Sequence, residues 1–172
     1  RPLEKIGCFF YPTNKTTLPL TLEGTSIPLA QKHIESKGSA QVKSLILLSA
    51  LSTQGTTIVE EKKISRNHTE IFLKAINADI KVMQCKGGNL IKLTGQKNLH
   101  SFKCSISSDP SSLAFLVALT LLTEKSKLIV HNVLCNPTRM GFIKILKEKM
   151  NANINVTNLK RISGELVGSI IV

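Results

Sequence analysis

Two short stretches carry the residue types that hold phosphate. "KGSAQVKS", Lys37 to Ser44, sets Ser39, Ala40 and Gln41 at the opening of a long apolar helix. "SRNHTE", Ser65 to Glu70, opens a second helix with Ser65 and Arg66. The first amides of a helix have no partner within it, and the dipole adds positive charge there, so a helix start attracts anions. Ser39 and Ser65 bring hydroxyl donors, and Arg66 brings a planar fork that matches phosphate geometry. Gln41 both donates and accepts, as a ring hydroxyl requires. Each residue alone has an ordinary reading: Ser39 as a cap, Arg66 as a solvated loop residue, His68 as a helix-surface residue. Taken together they predict a phosphate cradle.

The elements that would position these residues form a repeat. "SAQVKSLILLSALSTQGTTIV" from Ser39 is echoed by "PSSLAFLVALTLLTEKSKLIV" from Pro110, and "EIFLKAINADIKV" from Glu70 by "FIKILKEKMNANINV" from Phe142. The offset is about 72 residues each time, the mark of an internally repeated unit. The first copy predicts a poorly marked strand near 27–34, a helix over 39–53, a strand over 56–61, a helix over 67–77 and strands over 79–85 and 89–95. The second predicts a strand near 101–106, a helix over 110–123, a strand over 127–133, a helix over 138–150 and strands over 153–158 and 165–172. Alternation in "DIKVMQC" and "NLIKLTG" supports half-buried strands. "LILLSAL" and "LAFLVALTLL" are apolar all round, which predicts buried helices. Asp109-Pro110 and Asn136-Pro137 read as helix starts, and Asn67 with Glu70 has capping-box spacing. "KGG" at Lys86 to Gly88 reads as a hairpin turn. The result is an α+β fold of repeated βαβαββ units: a partial unit over 1–24 and complete ones over 25–96 and 97–172. Right-handed crossovers would start both helices of a unit at one sheet edge.

Bulk composition narrows the function. The chain has 172 residues and a net charge of +12, with 23 Lys and Arg against 11 Asp and Glu. Such a surface favours anionic partners. One Tyr and no Trp argue against base stacking, and with it against nucleic acid. The four cysteines are far apart and form no CxxC pair, so they read as small core residues of a reduced, cytoplasmic protein. The four histidines show no metal-ligand spacing, so no metal is expected. No apolar run reaches the roughly 18 residues of a membrane span. Walker, GxGxxG and GxSxG patterns are absent, and no close acid pair suggests a catalytic set. The second unit acts as an internal control. Its first helix opens at Asp109, which would repel a phosphate, so the basic start of the first unit has a role beyond capping.

At these motifs the chain resembles the 5-enolpyruvylshikimate-3-phosphate synthase family. The likeness rests on "SAQVKS", on "GTTIVEEKKISRNHTEIFLKAINADI", on "DPSSLAFLVALTLLTEKSKLIVHNVLCNPTRMGFIKIL" and on the closing "KRISGELVGSIIV". It implies a fold with helices inside and sheets outside. It also implies transfer of the enolpyruvyl group of phosphoenolpyruvate to shikimate 3-phosphate with release of phosphate, without metal or organic cofactor, by a monomeric enzyme. By the same resemblance Ser39 holds the shikimate phosphate, Ala40 contributes its backbone and Gln41 lies against the ring. Ser65 and Arg66 form the second phosphate-holding pair, and His68 flanks the ring. Arg1-Pro2 does not align with the arginine that this family uses for phosphoenolpyruvate, and the acid–base residues would lie beyond Val172. The chain begins without Met, and the expectation is a central fragment that binds shikimate 3-phosphate weakly at best and is inactive alone. The alternatives on the same repeat are a non-catalytic phosphate- or nucleic-acid-binding module, a transferase acting on a UDP-sugar, and an RNA 3′-phosphate cyclase.

Overall fold

The structure is a computed structural model describing residues 1–172. Residues Arg1–Ser101 and Phe102–Val172 form two compact units. The first opens with a short 3-10 turn and an antiparallel ribbon of β1 (Phe9–Tyr11) and β2 (Thr21–Glu23). There follow β3 (Lys32–Glu35), α1 (Ala40–Ala50), β4 (Thr56–Glu61), α2 (His68–Ala75), β5 (Asp79–Cys85) and β6 (Gly88–Thr94). The sheet order is β3-β4-β6-β5. β3 and β4 are parallel, and β6 runs antiparallel to both β4 and β5. Hence β3, β4 and β5 point the same way, and this is the βαβαββ order that the repeat predicts.

Burial follows the sequence periods. In β4 Thr57, Val59 and Glu61 point inward while Thr56, Ile58 and Glu60 alternate outward. Val59 shares one core cluster with Ile46, Leu47 and Ala50 of α1, Leu73 of α2, Ile80 of β5 and Ile91 and Leu93 of β6. Each fully buried aliphatic side chain of this set contributes about 1.5–3 kcal/mol. Two features depart from expectation. α1 is not apolar throughout its buried side, since Lys43 is fully buried there while Leu45 and Leu48 face outward. The strand expected from residue 27 starts only at Lys32, with a lone bridge between Leu29 and Gln54 before it. Pro28 supplies no N–H to a ladder, which explains the delay.

The second unit contains α3 (Pro110–Leu122), β7 (Ile129–Leu134), α4 (Gly141–Met150), β8 (Asn155–Ile162) and β9 (Glu165–Ile171). Its sheet order is β7-β9-β8, with β9 antiparallel to both neighbours. The strand expected over 101–106 does not form; a single parallel bridge, Ser108 to Val133, stands in its place. All six residues 101–106 are exposed, so no buried face holds them against β7. α4 starts three residues later than expected because Asn136 bonds locally, its Oδ1 accepting from Thr138 N (2.9 Å) and Thr138 Oγ1 (2.7 Å). Such an Asx turn competes with the helix. α3 buries only Pro110, Leu113 and Val117 and leaves Phe115, Leu119 and Leu122 exposed at 80%, 62% and 86%. Cys8 and Cys135 are buried as core residues, whereas Cys85 and Cys104 are exposed, against expectation.

Candidate functional site: a basic hollow between two helix starts

The two parallel strands β3 and β4 end on register partners, Glu35 and Glu61. Each carboxylate fastens the loop that leads into the next helix. Glu35 Oε1 accepts from Lys37 N (2.8 Å) and Ser39 N (3.3 Å). Between them Gly38 adopts φ +73°, a left-handed turn that L side chains resist, and a Cβ there would meet the Lys63 side chain at 3.1 Å. Ser39 then caps α1, its Oγ accepting from Val42 N at 3.3 Å. That bond uses a lone pair, so the hydroxyl hydrogen stays available outward. The amides of Ala40 and Gln41 belong to the first turn and have no partner within the helix.

Glu61 does the same at the second loop. Its Oε1 accepts from Ser65 N (2.8 Å) and Ser65 Oγ (2.6 Å), and its Oε2 from Asn89 Nδ2 (2.9 Å). Behind it, Lys43 Nζ lies 2.9 Å from Glu61 Oε1 and 2.7 Å from Glu70 Oε1. Glu70 is therefore drawn into the core by Lys43, and Asn67, at the N-cap position of α2, makes no side-chain cap bond. The capping box that the spacing predicts is thus not formed. Burial pushes the Glu35 and Glu61 carboxyls up. The hydrogen bonds each accepts outweigh it and hold both below the usual carboxylate value.

An open hollow of about 490 Å³ lies beside the helix starts, lined by Ala40, Gln41, Ser44, Arg66, His68 and Thr69, with Leu45 and Leu48 of α1 also on its wall. Ser44 Oγ and Thr69 Oγ1 are 2.6 Å apart and join α1 to α2. Three of the five predicted ligand-holding residues, Ala40, Gln41 and Arg66, therefore line one surface. Ser39 sits at its edge as the α1 cap. Ser65 is different. Its hydroxyl donates to Glu61 rather than into the hollow. Sequence reasoning missed Lys43, Glu35, Glu61 and Glu70. Two signals pointed to them: a lysine within an otherwise apolar helix, and a glutamate on the inward period of β4.

The second unit holds the same parts in another state. Asp109 caps α3, accepting from Ser112 N and Oγ, both at 3.0 Å. The Ser112 amide leads the contacts that hold its carboxyl below the usual value. Arg139, which takes the place of Arg66 before the second helix, is ion-paired to Asp109 and donates to Ser111 Oγ at 2.8 Å. Its charge is spent inside the chain. Arg66 makes no ion pair, and no carboxylate lines its hollow.

Fold and hollow together define a class: an α+β protein of repeated βαβαββ type with an arginine free of ion pairs beside two helix starts. The chain belongs to the EPSP synthase (3-phosphoshikimate 1-carboxyvinyltransferase) family, whose model matches residues 1–168. A relative named 3-phosphoshikimate 1-carboxyvinyltransferase from Nitrobacter winogradskyi is 40% identical over 166 residues, covering 95% of this chain and 37% of the relative. One of the same name from Caldicellulosiruptor saccharolyticus is 37% identical over 172 residues, covering 99% and 39%. The solved EPSP synthase from Acinetobacter baumannii superposes with a TM-score of 0.84 at 35% identity, covering 99% of this chain and 38% of that one. The chain thus spans less than two fifths of the length of these relatives.

Proposed function

We propose that this chain supplies the phosphate-holding side of an enolpyruvyl transfer from phosphoenolpyruvate to shikimate 3-phosphate. In this reading the shikimate phosphate rests on the Ala40 and Gln41 amides and the Ser39 hydroxyl, with Arg66 closing a bidentate contact from the second loop. The Gln41 amide group meets a ring hydroxyl, and His68 borders the ring. Ser65 acts from behind by holding the Arg66 loop. The carboxylates beside the hollow, Glu35 and Glu61, are anionic and committed to N–H and O–H donors, so neither serves as an acid–base group. Binding without turnover is the behaviour expected of this chain alone. The complete activity, a monomeric state and a cytoplasmic setting go with the family reading, and the internal repeat supports a division into units at 1–24, 25–96 and 97–172.

One observation carries the proposal. Arg66 faces a carboxylate-free hollow, while its counterpart Arg139 is neutralised by Asp109. The matching experiment is calorimetric titration of the chain with shikimate 3-phosphate, with unphosphorylated shikimate as control. Arg66→Ala is expected to lose about tenfold or more in affinity, the worth of a charge-assisted bidentate contact. Arg139→Ala is expected to bind as the parent does. Equal losses in the two variants, or equal binding of shikimate and its phosphate, would refute the assignment.

A further inference from the structure

Packing does not explain why three ionisable groups, Lys43 of α1, Glu61 of β4 and Glu70 of α2, share the interior. Desolvation of such a cluster costs about as much as its attraction returns, and apolar residues of the same volume would join α1 to β4 equally well. The hydrogen bonds give a better account. Glu61 accepts from four donors: Lys43 Nζ, Ser65 N, Ser65 Oγ and Asn89 Nδ2. Two of these belong to Ser65, the residue next to Arg66. A third comes from the first turn of α1, whose Ala40 and Gln41 form the opposite wall of the hollow. One carboxylate therefore fixes both walls relative to each other.

The second unit repeats the device with its carboxylate on the other strand and no lysine recorded behind it. Asn136 holds Thr138 N and Oγ1 as Glu61 holds Ser65 N and Oγ, and Glu165 Oε2 accepts from Asn136 Nδ2 at 3.0 Å, as Glu61 Oε2 accepts from Asn89. Asparagine and glutamate have exchanged places. In that unit the following arginine, Arg139, already has Asp109 to hold it. The lysine-backed latch, with the carboxylate itself holding the loop, thus occurs where the arginine has no ion-pair partner in the chain and its loop must hold it.

We infer that Lys43 and Glu61 are positioning residues, acting through Ser65 to aim Arg66 at the anion in the hollow. The inference rests on the phosphate reading above. Because the Ser65 hydroxyl hydrogen is given to Glu61, Ser65 offers an anion only lone pairs, and the second loop contributes through Arg66.

The test uses the whole chain, titrated with shikimate 3-phosphate and with inorganic phosphate. It follows the amide resonances of Ala40, Gln41 and Arg66 and, separately, thermal unfolding. Ser65→Ala removes the latch hydroxyl, Ser65→Thr keeps one, and Glu61→Gln leaves Lys43 balanced by Glu70. Ser65→Ala is expected to weaken binding about tenfold, the scale of a hydrogen bond to a charged group, and to lower the unfolding temperature by about 3–12 °C while the chain stays folded. Ser65→Thr restores the affinity, and Glu61→Gln, where it folds, repeats the loss. A parent that binds while Ser65→Ala binds equally well, or a Ser65→Thr that fails to rescue, overturns the inference and leaves the phosphate reading standing. A parent that binds neither probe overturns the phosphate reading and the inference with it.

Discussion

Replacing Lys43 by methionine removes the one cation in a cluster whose side chains are 0%, 0% and 6% exposed for Lys43, Glu61 and Glu70. Methionine fills a similar volume, so no cavity term enters. Glu61 keeps its Ser65 and Asn89 donors. Glu70 fares worse, because its Oε1 loses Lys43 at 2.7 Å and its buried Oε2 has no hydrogen-bond partner. Removing one member of a buried ion pair costs about 3–5 kcal/mol, chiefly through the charge left behind. Taking about 4 kcal/mol and roughly 2–4 °C per kcal/mol for a chain of this size, the unfolding temperature should drop by about 8–16 °C. Scanning calorimetry and urea unfolding would read both numbers. The double variant Lys43→Met with Glu70→Gln removes the stranded carboxylate and is expected to recover about half of the loss. A single variant costing less than about 1 kcal/mol at unchanged urea slope would mean that water reaches the cluster. That result would remove the basis for calling it buried.

Two further outcomes follow from the same neighbourhood. Glu35 and Glu61 titrate lower folded than unfolded, so the unfolded chain binds more protons between the two values. Their contribution is complete above the ordinary value of 4.5 and is lost as pH falls through the folded value. Urea midpoints between about pH 3 and 7 should fall on the acid side, and Glu61→Gln should flatten that slope; an unchanged slope would contradict the hydrogen bonds described for Glu61. At Gly88 an added Cβ would lie 1.7 Å from the Glu61 carbonyl oxygen, a backbone atom that cannot swing aside. Gly88→Ala should cost at least about 3 kcal/mol, the upper range for overpacking, and a variant with the parent's urea midpoint would show that the start of β6 lies elsewhere.

The helices, most strands and the repeated order were legible because they depend on local chemistry. β4 and β5 begin and end at the expected residues, and Asp109 caps α3 as its position before Pro110 predicts. Proline geometry, capping and the 3.6 and 2.0 periods are properties of a few adjacent residues. Local signals failed where a distant group competed for the same atoms. Asn67 with Glu70 had the right spacing, but Lys43, 27 positions before Glu70 in the chain, took the carboxylate. Residues 101–106 alternate acceptably, yet a strand also needs a face to bury.

The candidate site divides along the same line. From the sequence alone came the residue types a phosphate needs, Ser39, Ala40, Gln41 and Arg66, and the placing of both loops at helix starts, because backbone amides and a guanidinium bind anions wherever they occur. Tertiary structure alone decided which of them share a surface, that Ser65 turns its hydrogen inward to Glu61, and that Arg139 is neutralised while Arg66 is not. Those outcomes hang on distances of about 3 Å between residues far apart in the chain. Hydrogen bonds and ion pairs weaken steeply beyond that range, so only the folded arrangement can assign them.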